Sequence, residues 1–286
     1  MTIKITTPKV EIISYAPDAL ELLLFTKSTR LQGQSTLDDI KNWPIDKKLS
    51  HLAYMRDTIK SSWEFVDYVF NLTGVSRVFT HQFVRTRDQA GIDDPAFGSP
   101  DANPAVASYA QEAQRTIDAS ENGFTIPTGA KNTNMYSSIY EQENECYKQA
   151  IADGESYQDA RYLLPNSVST SIIAKLSLRA LHHMAEVRLC TRAQGEYQKV
   201  FRLMRSEVYR IHPWTSGWIE VYCVNHGTCC FPRYEKCPVQ GPLFNPEIGS
   251  RFDRSPFRPV NRKEILTMWE NTSHEADPVA KDGRTQ

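Results

Sequence analysis

Ser169–Tyr209 reads STSIIAKLSLRALHHMAEVRLCTRAQGEYQKVFRLMRSEVY, and the periodicity of this stretch decides the fold. Leu178, Leu181, Ala185 and Leu189 form one apolar row at helical spacing, with Leu176, Ala180, Met184 and Val187 beside it. The pattern predicts one long helix, with room for a kink. Its charges do not keep to one side. Arg179, His183 and Glu186 stand at i, i+4 and i+7 and share a face, whereas Arg188 lies about half a revolution from Arg179 and Arg192 follows one turn later. Either such a helix lies between two packed bodies, with arginines reaching a pocket or a subunit boundary, or it is a solvated helix laced with i, i+4 ion pairs.

On the N-terminal side, Tyr136–Asp153 and Ser156–Leu164 have helical spacing, and Pro165 closes the second. GIDDPAFGSPDANPAVA, Gly91–Ala107, is rich in Gly, Pro, Asp and Asn without an apolar period, which predicts a long surface loop. Ser108–Ile117 after it reads as extended. Val66, Tyr68, Phe70 and Leu72 alternate with Asp67, Val69 and Asn71, the period of a half-buried strand, here expected to end at Gly74. Val75, Val78, Phe79 and Phe83 return to helical spacing. Pro17–Arg30 and Asp46–Ser61 predict two further helices. On the C-terminal side, Trp214–Pro246 gathers aromatics, prolines and four cysteines, and the chain beyond Gly249 is charged and aperiodic. The division expected is a catalytic domain over 1–248 and a charged, partly disordered tail over 249–286.

Composition narrows the function. The chain has 286 residues, of which 40% are hydrophobic, enough for a sizeable core. Lys plus Arg (33) balances Asp plus Glu (34), so no overall basic field would hold it on a nucleic acid or an acidic membrane, and any bound anion must be gripped locally. MTIKITTPKVEII lacks the apolar core of a signal peptide, and the longest greasy run, Leu20–Phe25, is too short to span a bilayer, which leads to a cytoplasmic expectation. There is no G-x-G-x-x-G after a strand and no G-x-x-x-x-G-K-[ST], so a nucleotide cofactor would need other groups to hold it.

Four segments, in order, resemble the flavin-dependent thymidylate synthases. They are GVSRVFTHQFVRTR (Gly74–Arg87), SYAQEAQR (Ser108–Arg115), DARYLLPN (Asp159–Asn166) and LRALHHMAEVRLCTRAQGEYQ (Leu178–Gln198), with its Arg-Ala-Gln-x-Glu run. Together they cover roughly Ile59–Val208. The resemblance implies an α+β fold, a curved mixed or antiparallel sheet flanked by helices in a single domain. It also implies a homotetramer with active sites at subunit boundaries, and FAD bound without a Rossmann motif. The implied reaction moves a one-carbon unit from methylenetetrahydrofolate to C5 of a pyrimidine deoxynucleotide, dUMP to dTMP, with NADPH as reductant. The partners are then the nucleotide monophosphate, the folate and the chain itself.

Residue by residue, the resemblance puts Gln82, Arg85, Gln111, Glu112, Ala113, Gln114, Arg115, Arg161 and Arg188 at the nucleotide. A guanidinium suits such a site because it presents a fixed fork of donors and stays charged at every working pH. Arg188, beside the pyrimidine, is the catalytic candidate, since it would stabilise negative charge on the ring. The flavin falls to Ser61, Glu64, Arg85, Thr86, Arg87, Gln111, Ser177, Arg179 and His183, with Arg87 and Arg179 suited to the pyrophosphate. His183 also reads as a packing residue against Met184 and Leu181. His81 and His182 are given no role.

Three features depart from the family. Arg85-Thr86-Arg87 replaces Arg-His-Arg, Ala113 stands where the motif ends in serine, and a stretch around 91–107 splits the motif. These leave open a variant methylase or hydroxymethylase acting on dUMP or dCMP, or a catalytically silent nucleotide-binding paralogue. Cys223, His226, Cys229, Cys230 and Cys237 lie within fifteen residues, but their spacing is not that of a paired zinc knuckle. Free thiols are the expectation, and no metal ligand is assigned.

Overall fold

The computed structural model describes residues 4–28, 35–56, 60–85 and 107–226. Its centre is a four-stranded antiparallel sheet in the order β1-β2-β4-β3, formed by β1 (Lys9–Tyr15), β2 (Asp67–Ser76), β3 (Ala107–Gln111) and β4 (Ser169–Ser177). The helices are α1 (Ala19–Ser28), α2 (Leu37–Lys41), α3 (Ile45–Arg56), α4 (Arg77–Phe83), α5 (Thr133–Ala152), α6 (Tyr157–Ala160), α7 (Leu178–Arg188), α8 (Gly195–Ile211) and α9 (Tyr222–His226). The α+β class expected from the sequence is therefore the one observed. None of these helices is long and apolar enough to cross a membrane.

The stretch expected to be one long helix is a strand and two helices. Thr170, Ile172, Ala174 and Leu176 alternate toward the core while Ile173 and Lys175 are exposed, which is the period of a strand. β4 pairs with β2 on one side and β3 on the other, so its inner face must be apolar throughout. Ser177 ends it as the N-cap of α7, accepting a hydrogen bond from the Ala180 N–H at 3.1 Å. α7 stops at Arg188, and just beyond it the Gln198 amide donates to the carbonyls of Leu189 (3.2 Å) and Cys190 (3.0 Å), the second of which also accepts from the Ala193 N–H. Arg192 thus lies beyond α7 and not one turn along it.

β2 keeps the expected alternation, with Tyr68, Phe70 and Leu72 buried, but does not end at Gly74. The strand bulges between Leu72 and Val75, where Gly74 takes φ +68°, and continues to Ser76. Ser76 then caps α4, its hydroxyl accepting from the Phe79 N–H. The helix expected to reach Ser61 ends at Arg56, and Lys60–Phe65 form a 3-10 turn. Ser156–Leu164 divides into α6 and a 3-10 turn at Arg161–Leu163.

One hydrophobic core joins the inner face of the sheet to α1, α3, α4, α7 and α8, and Trp63 of the 3-10 turn, fully buried, stacks on Trp218 with ring centres 4.4 Å apart. A satellite cluster under α5 stacks Phe124 on Tyr140 at 4.2 Å. Burying an aromatic of this size removes a large apolar area from water, and each contributes about 1.5–3 kcal/mol or more. The bulge is a tight point of the backbone: a Cβ on Gly74 would lie 2.5 Å from the Thr7 carbonyl oxygen. Gly74→Ala combines that clash with an unfavourable φ and is expected to destabilise by more than about 2 kcal/mol. A urea midpoint equal to that of the parent chain would show that the bulge relaxes.

Candidate functional site

Of the residues expected at a flavin, Ser61, Glu64, Ser177, Arg179 and His183 lie where β4 hands over to α7, whereas Arg85 follows α4 and Gln111 is hydrogen-bonded to it. The Lys60–Phe65 turn packs against α7 and carries Ser61 and Glu64, and the Arg179 guanidinium donates to the Glu64 carboxylate at 2.5 Å. Ser177 is buried, and its oxygen accepts the capping bond of α7, so its hydroxyl proton is what it can offer a ligand. His183 lies one turn after Arg179, and burial, reinforced by neighbouring His182, pushes it down to about 4. It is a neutral imidazole at working pH. His182 is buried and donates from Nδ1 to the Trp218 carbonyl at 2.7 Å.

Behind this cluster, Glu186 is almost wholly buried and accepts from His226 Nε2 at 2.8 Å and Asn225 Nδ2 at 3.2 Å. Burial pushes its carboxyl up, but the His226 hydrogen bond and the nearby His182 ring outweigh it, and the net shift is downward. The bond ties α9 to α7.

The residues expected at a nucleotide gather around α4. Gln82 donates from Nε2 to Gln194 Oε1, and Gln111, at the end of β3, donates to Thr80 Oγ1 at 2.8 Å. The Arg188 guanidinium lies over the Tyr197 ring, 4.6 Å from its centre. That ring packs edge-on against Phe79 at 5.0 Å and Phe83 at 5.9 Å, so Arg188 is brought to α4 through one aromatic layer. Asn166 and Val168 accept from the backbone N–H groups of Val78 and Arg77, which ties the segment after Arg161 to the first turn of α4. Arg77 is depressed by partial burial first and by the Arg161 charge second, with Glu112 acting against both.

The 111–115 segment turns away after Gln111. Glu112 accepts from Asn122 Nδ2 at 2.6 Å, and the Ala113 carbonyl accepts from Thr116 N–H and Oγ–H while its methyl is exposed. Gln114 is buried, its Nε2 without a partner among the described residues. Arg115 and Arg85 are exposed. Thr86, Arg87 and 91–106 lie outside the described residues, as do Cys229, Cys230, Cys237 and the 249–286 tail; Ala107 belongs to β3. Cys146, Cys190 and Cys223 are free thiols, and among the described residues no group of His, Cys, Asp and Glu is arranged to hold a metal ion.

A cavity of about 240 Å³ opens beside α4, lined in part by Ser76, Thr125, Thr128, Gln194 and Glu196. None of the expected site residues lines it. Glu196 accepts from the Ser76 N–H at 2.7 Å and from its hydroxyl at 2.5 Å, and burial raises its carboxyl above the ordinary range. Sequence reasoning quoted Gln194 and Glu196 within the Arg-Ala-Gln-x-Glu run but gave neither a role. It passed over Arg77, Thr80 and Tyr197 as well, since a single chain carries no signal that pairs them with distant partners.

The profile of the family described as thymidylate synthase complementing protein matches residues 11–214. A flavin-dependent thymidylate synthase of Sulfurisphaera tokodaii is 29% identical over 273 residues, 93% of this chain and 97% of the relative. One of Pyrococcus horikoshii is 30% identical over 245 residues, 80% and 92%. Among solved structures, a UMP/dUMP methylase of Streptomyces cacaoi bound with 5-Br dUMP shares the fold at TM-score 0.57 and 17% identity, over 76% of this chain and 98% of that one.

The depressed His183 gives the site a pH signature. An unfolded histidine takes its proton near pH 6.5, whereas folded His183 does so only near 4. Its stabilising contribution is therefore complete above about pH 6.5 and is lost as pH falls through about 4, a difference on the order of 3 kcal/mol. His183→Gln is expected to flatten that part of the stability profile, read as urea midpoints between pH 7 and 4. An acid limb as steep as the parent's would place the titration elsewhere.

Proposed function

The chain belongs to the thymidylate synthase complementing protein family, the flavin-dependent thymidylate synthases, and on that premise we propose that it methylates C5 of a pyrimidine deoxynucleotide, converting dUMP to dTMP. Methylenetetrahydrofolate donates the carbon and NADPH the electrons. The working unit is a cytoplasmic homotetramer whose pockets combine residues of different subunits.

The observation that carries this reading is the division of labour along α7, where Arg179 is engaged by Glu64 at one end and Arg188 rests on Tyr197 at the other. A dinucleotide needs donors for its phosphates and an acceptor for its ribose hydroxyls. Ser61, Arg179 and neutral His183 supply donors, and Glu64 supplies a carboxylate, so these residues fit FAD. When bound, FAD supplies the hydride for reducing the transferred carbon. Arg179, with Arg87, neutralises the pyrophosphate, and Ser177 and His183 fix the edge of the site. Gln82, Arg85 and Arg161, with Gln111–Arg115 of a neighbouring copy or the same one, hold the nucleotide.

Arg188 acts at the pyrimidine. A fixed guanidinium beside the base stabilises negative charge as it develops on the ring and makes C5 a better nucleophile. The aromatic layer beneath it holds the cation in place and excludes water from one side, which strengthens that interaction. No serine nucleophile is needed, so Ala113 is compatible with the chemistry.

Arg188→Ala is expected to slow the chemical step by about 10²–10³-fold while FAD binding barely changes, and Arg188→Lys to recover part of the loss, because an ammonium keeps the charge without the planar fork. The check is single-turnover oxidation of the reduced flavin with saturating folate and dUMP, beside an FAD titration. Parent-like turnover in Arg188→Ala would reduce Arg188 to a structural cation. In the same titration Arg179→Ala is expected to weaken FAD tenfold or more, since a charge-assisted contact is worth about 1.5–3 kcal/mol; unchanged affinity would remove Arg179 from the site.

A further inference from the structure

Four consecutive residues at the start of α8 hold α4 along its whole length. Glu196 takes both donors of Ser76, the N-cap, while the same Ser76 hydroxyl accepts from Phe79 N–H, so the first turn of α4 is fixed through one serine. Gln194 occupies the N-cap position of α8, yet its side chain makes no capping bond and instead accepts from Gln82. Tyr197 covers Phe79 and Phe83 between those two grips. Gly195 lets α8 come this close: a Cβ there would lie 1.9 Å from Thr128 Oγ1, so the helix start is pressed between the Thr125–Gly129 segment and α4.

Stability alone does not account for this arrangement. Ser76 already caps α4 with its own oxygen, and a hydroxyl cap is worth about 1 kcal/mol without help. Adding a half-buried carboxylate whose hydrogen-bond partners among the described residues are the two neutral donors of Ser76 is costly. A helix of seven residues is, however, too short to hold its own position, and Gln82 and the Arg85 turn are borne on it.

We infer that Gln194, Glu196 and Tyr197 are positioning residues that set the place and rotation of α4, and through it the side chain of Gln82 and the turn at Arg85, for the nucleotide. The inference rests on the functional reading above. It assigns Gln194 and Glu196 an effect transmitted through Gln82 and Ser76, without contact to substrate. Two partners that act as a unit lose their energy once, so removal of either should leave little for removal of the other to take.

The test uses the full chain, with Glu196→Gln, which keeps the volume but replaces one acceptor of Ser76 by a donor, and Gln194→Ala, which leaves Ser76 untouched. Hydrogen exchange of the α4 amides is expected to quicken at least tenfold in Glu196→Gln while β2 and β4 keep their protection. In calorimetric titration of the flavin-loaded protein with dUMP, each variant should bind about tenfold more weakly, and Gln194→Ala/Gln82→Ala should be no weaker than the poorer single variant. Unchanged α4 exchange, exchange quickened equally through the sheet, unchanged dUMP affinity, or additive losses in the double variant would each overturn the inference. Failure of the parent protein to bind dUMP would instead remove the functional reading, and α4 exchange would still decide whether the clamp exists.

Discussion

Antiparallel pairing of β2 with β4 is the constraint on which the rest of the molecule depends. The register sets Ser76 opposite Ser169 and Asp67 opposite Ser177, so the two strands finish at opposite ends of the pair. Each then meets a serine whose hydroxyl caps the next helix, Ser76 for α4 and Ser177 for α7. The two helices therefore start far apart, separated by most of a ten-residue strand, roughly 30 Å at about 3.3 Å per residue. α7 covers about 16 Å in eleven residues, and its far end reaches the aromatic layer on α4. One helix can thus place Arg179 at the turn that leads into β2 and Arg188 beside α4, which is the separation a two-ligand site needs.

Charge is managed differently at the two ends. Along α7 the acids withdrawn from solvent have polar partners that offset their desolvation: Glu64 has Arg179 near the start of the helix, and Glu186 has His226 and Asn225 near its end. Farther along the same face of the core, Glu220 has Arg205 at 2.7 Å and Tyr209 at 3.0 Å. Such pairs add little net stability but strongly oppose rearrangement, because separating them leaves a charge buried alone. Beside α4, Glu196 has as its hydrogen-bond partners among the described residues the two neutral donors of Ser76. Of the cations there, Arg188 rests on an aromatic ring, Arg161 donates to the Gln158 carbonyl at 3.1 Å, and Arg77 is depressed by partial burial first and by the Arg161 charge second.

What could be read from the sequence follows from the range of each interaction. The alternation of Tyr68, Phe70 and Leu72 is local, and β2 was legible from it; so was the apolar row of α7, since Leu178, Leu181, Ala185 and Leu189 are all buried. β4 was not, because the apolar Ile173 on its outer face blurs the alternation between the two faces of the sheet, and Leu176 fits a helical row as well as a strand face. The break after Arg188 depends on Gln198 reaching back to two carbonyls, a contact that no periodicity records. The bulge at Gly74 depends likewise on the Thr7 carbonyl, far away in sequence. Among the candidate site residues, resemblance supplied Gln82, Glu64, Arg161, Arg179 and Arg188, whereas Gln194 and Tyr197, and the pairing of Glu64 with Arg179, emerge only from packing.

The same distinction bears on the departures from the family pattern. Ala113 presents an exposed methyl, and what the structure uses at that position is its carbonyl, which accepts from Thr116. A residue whose backbone does the structural work can change its side chain without disturbing the fold, so alanine in place of the family's serine leaves this turn intact. Gln111, two residues earlier, is held by Thr80 of α4, and Glu112 by Asn122; both anchors are independent of position 113. The polar frame proposed for the nucleotide is thus fixed from the sheet and from α4, while Arg188 is set on Tyr197 by a separate element.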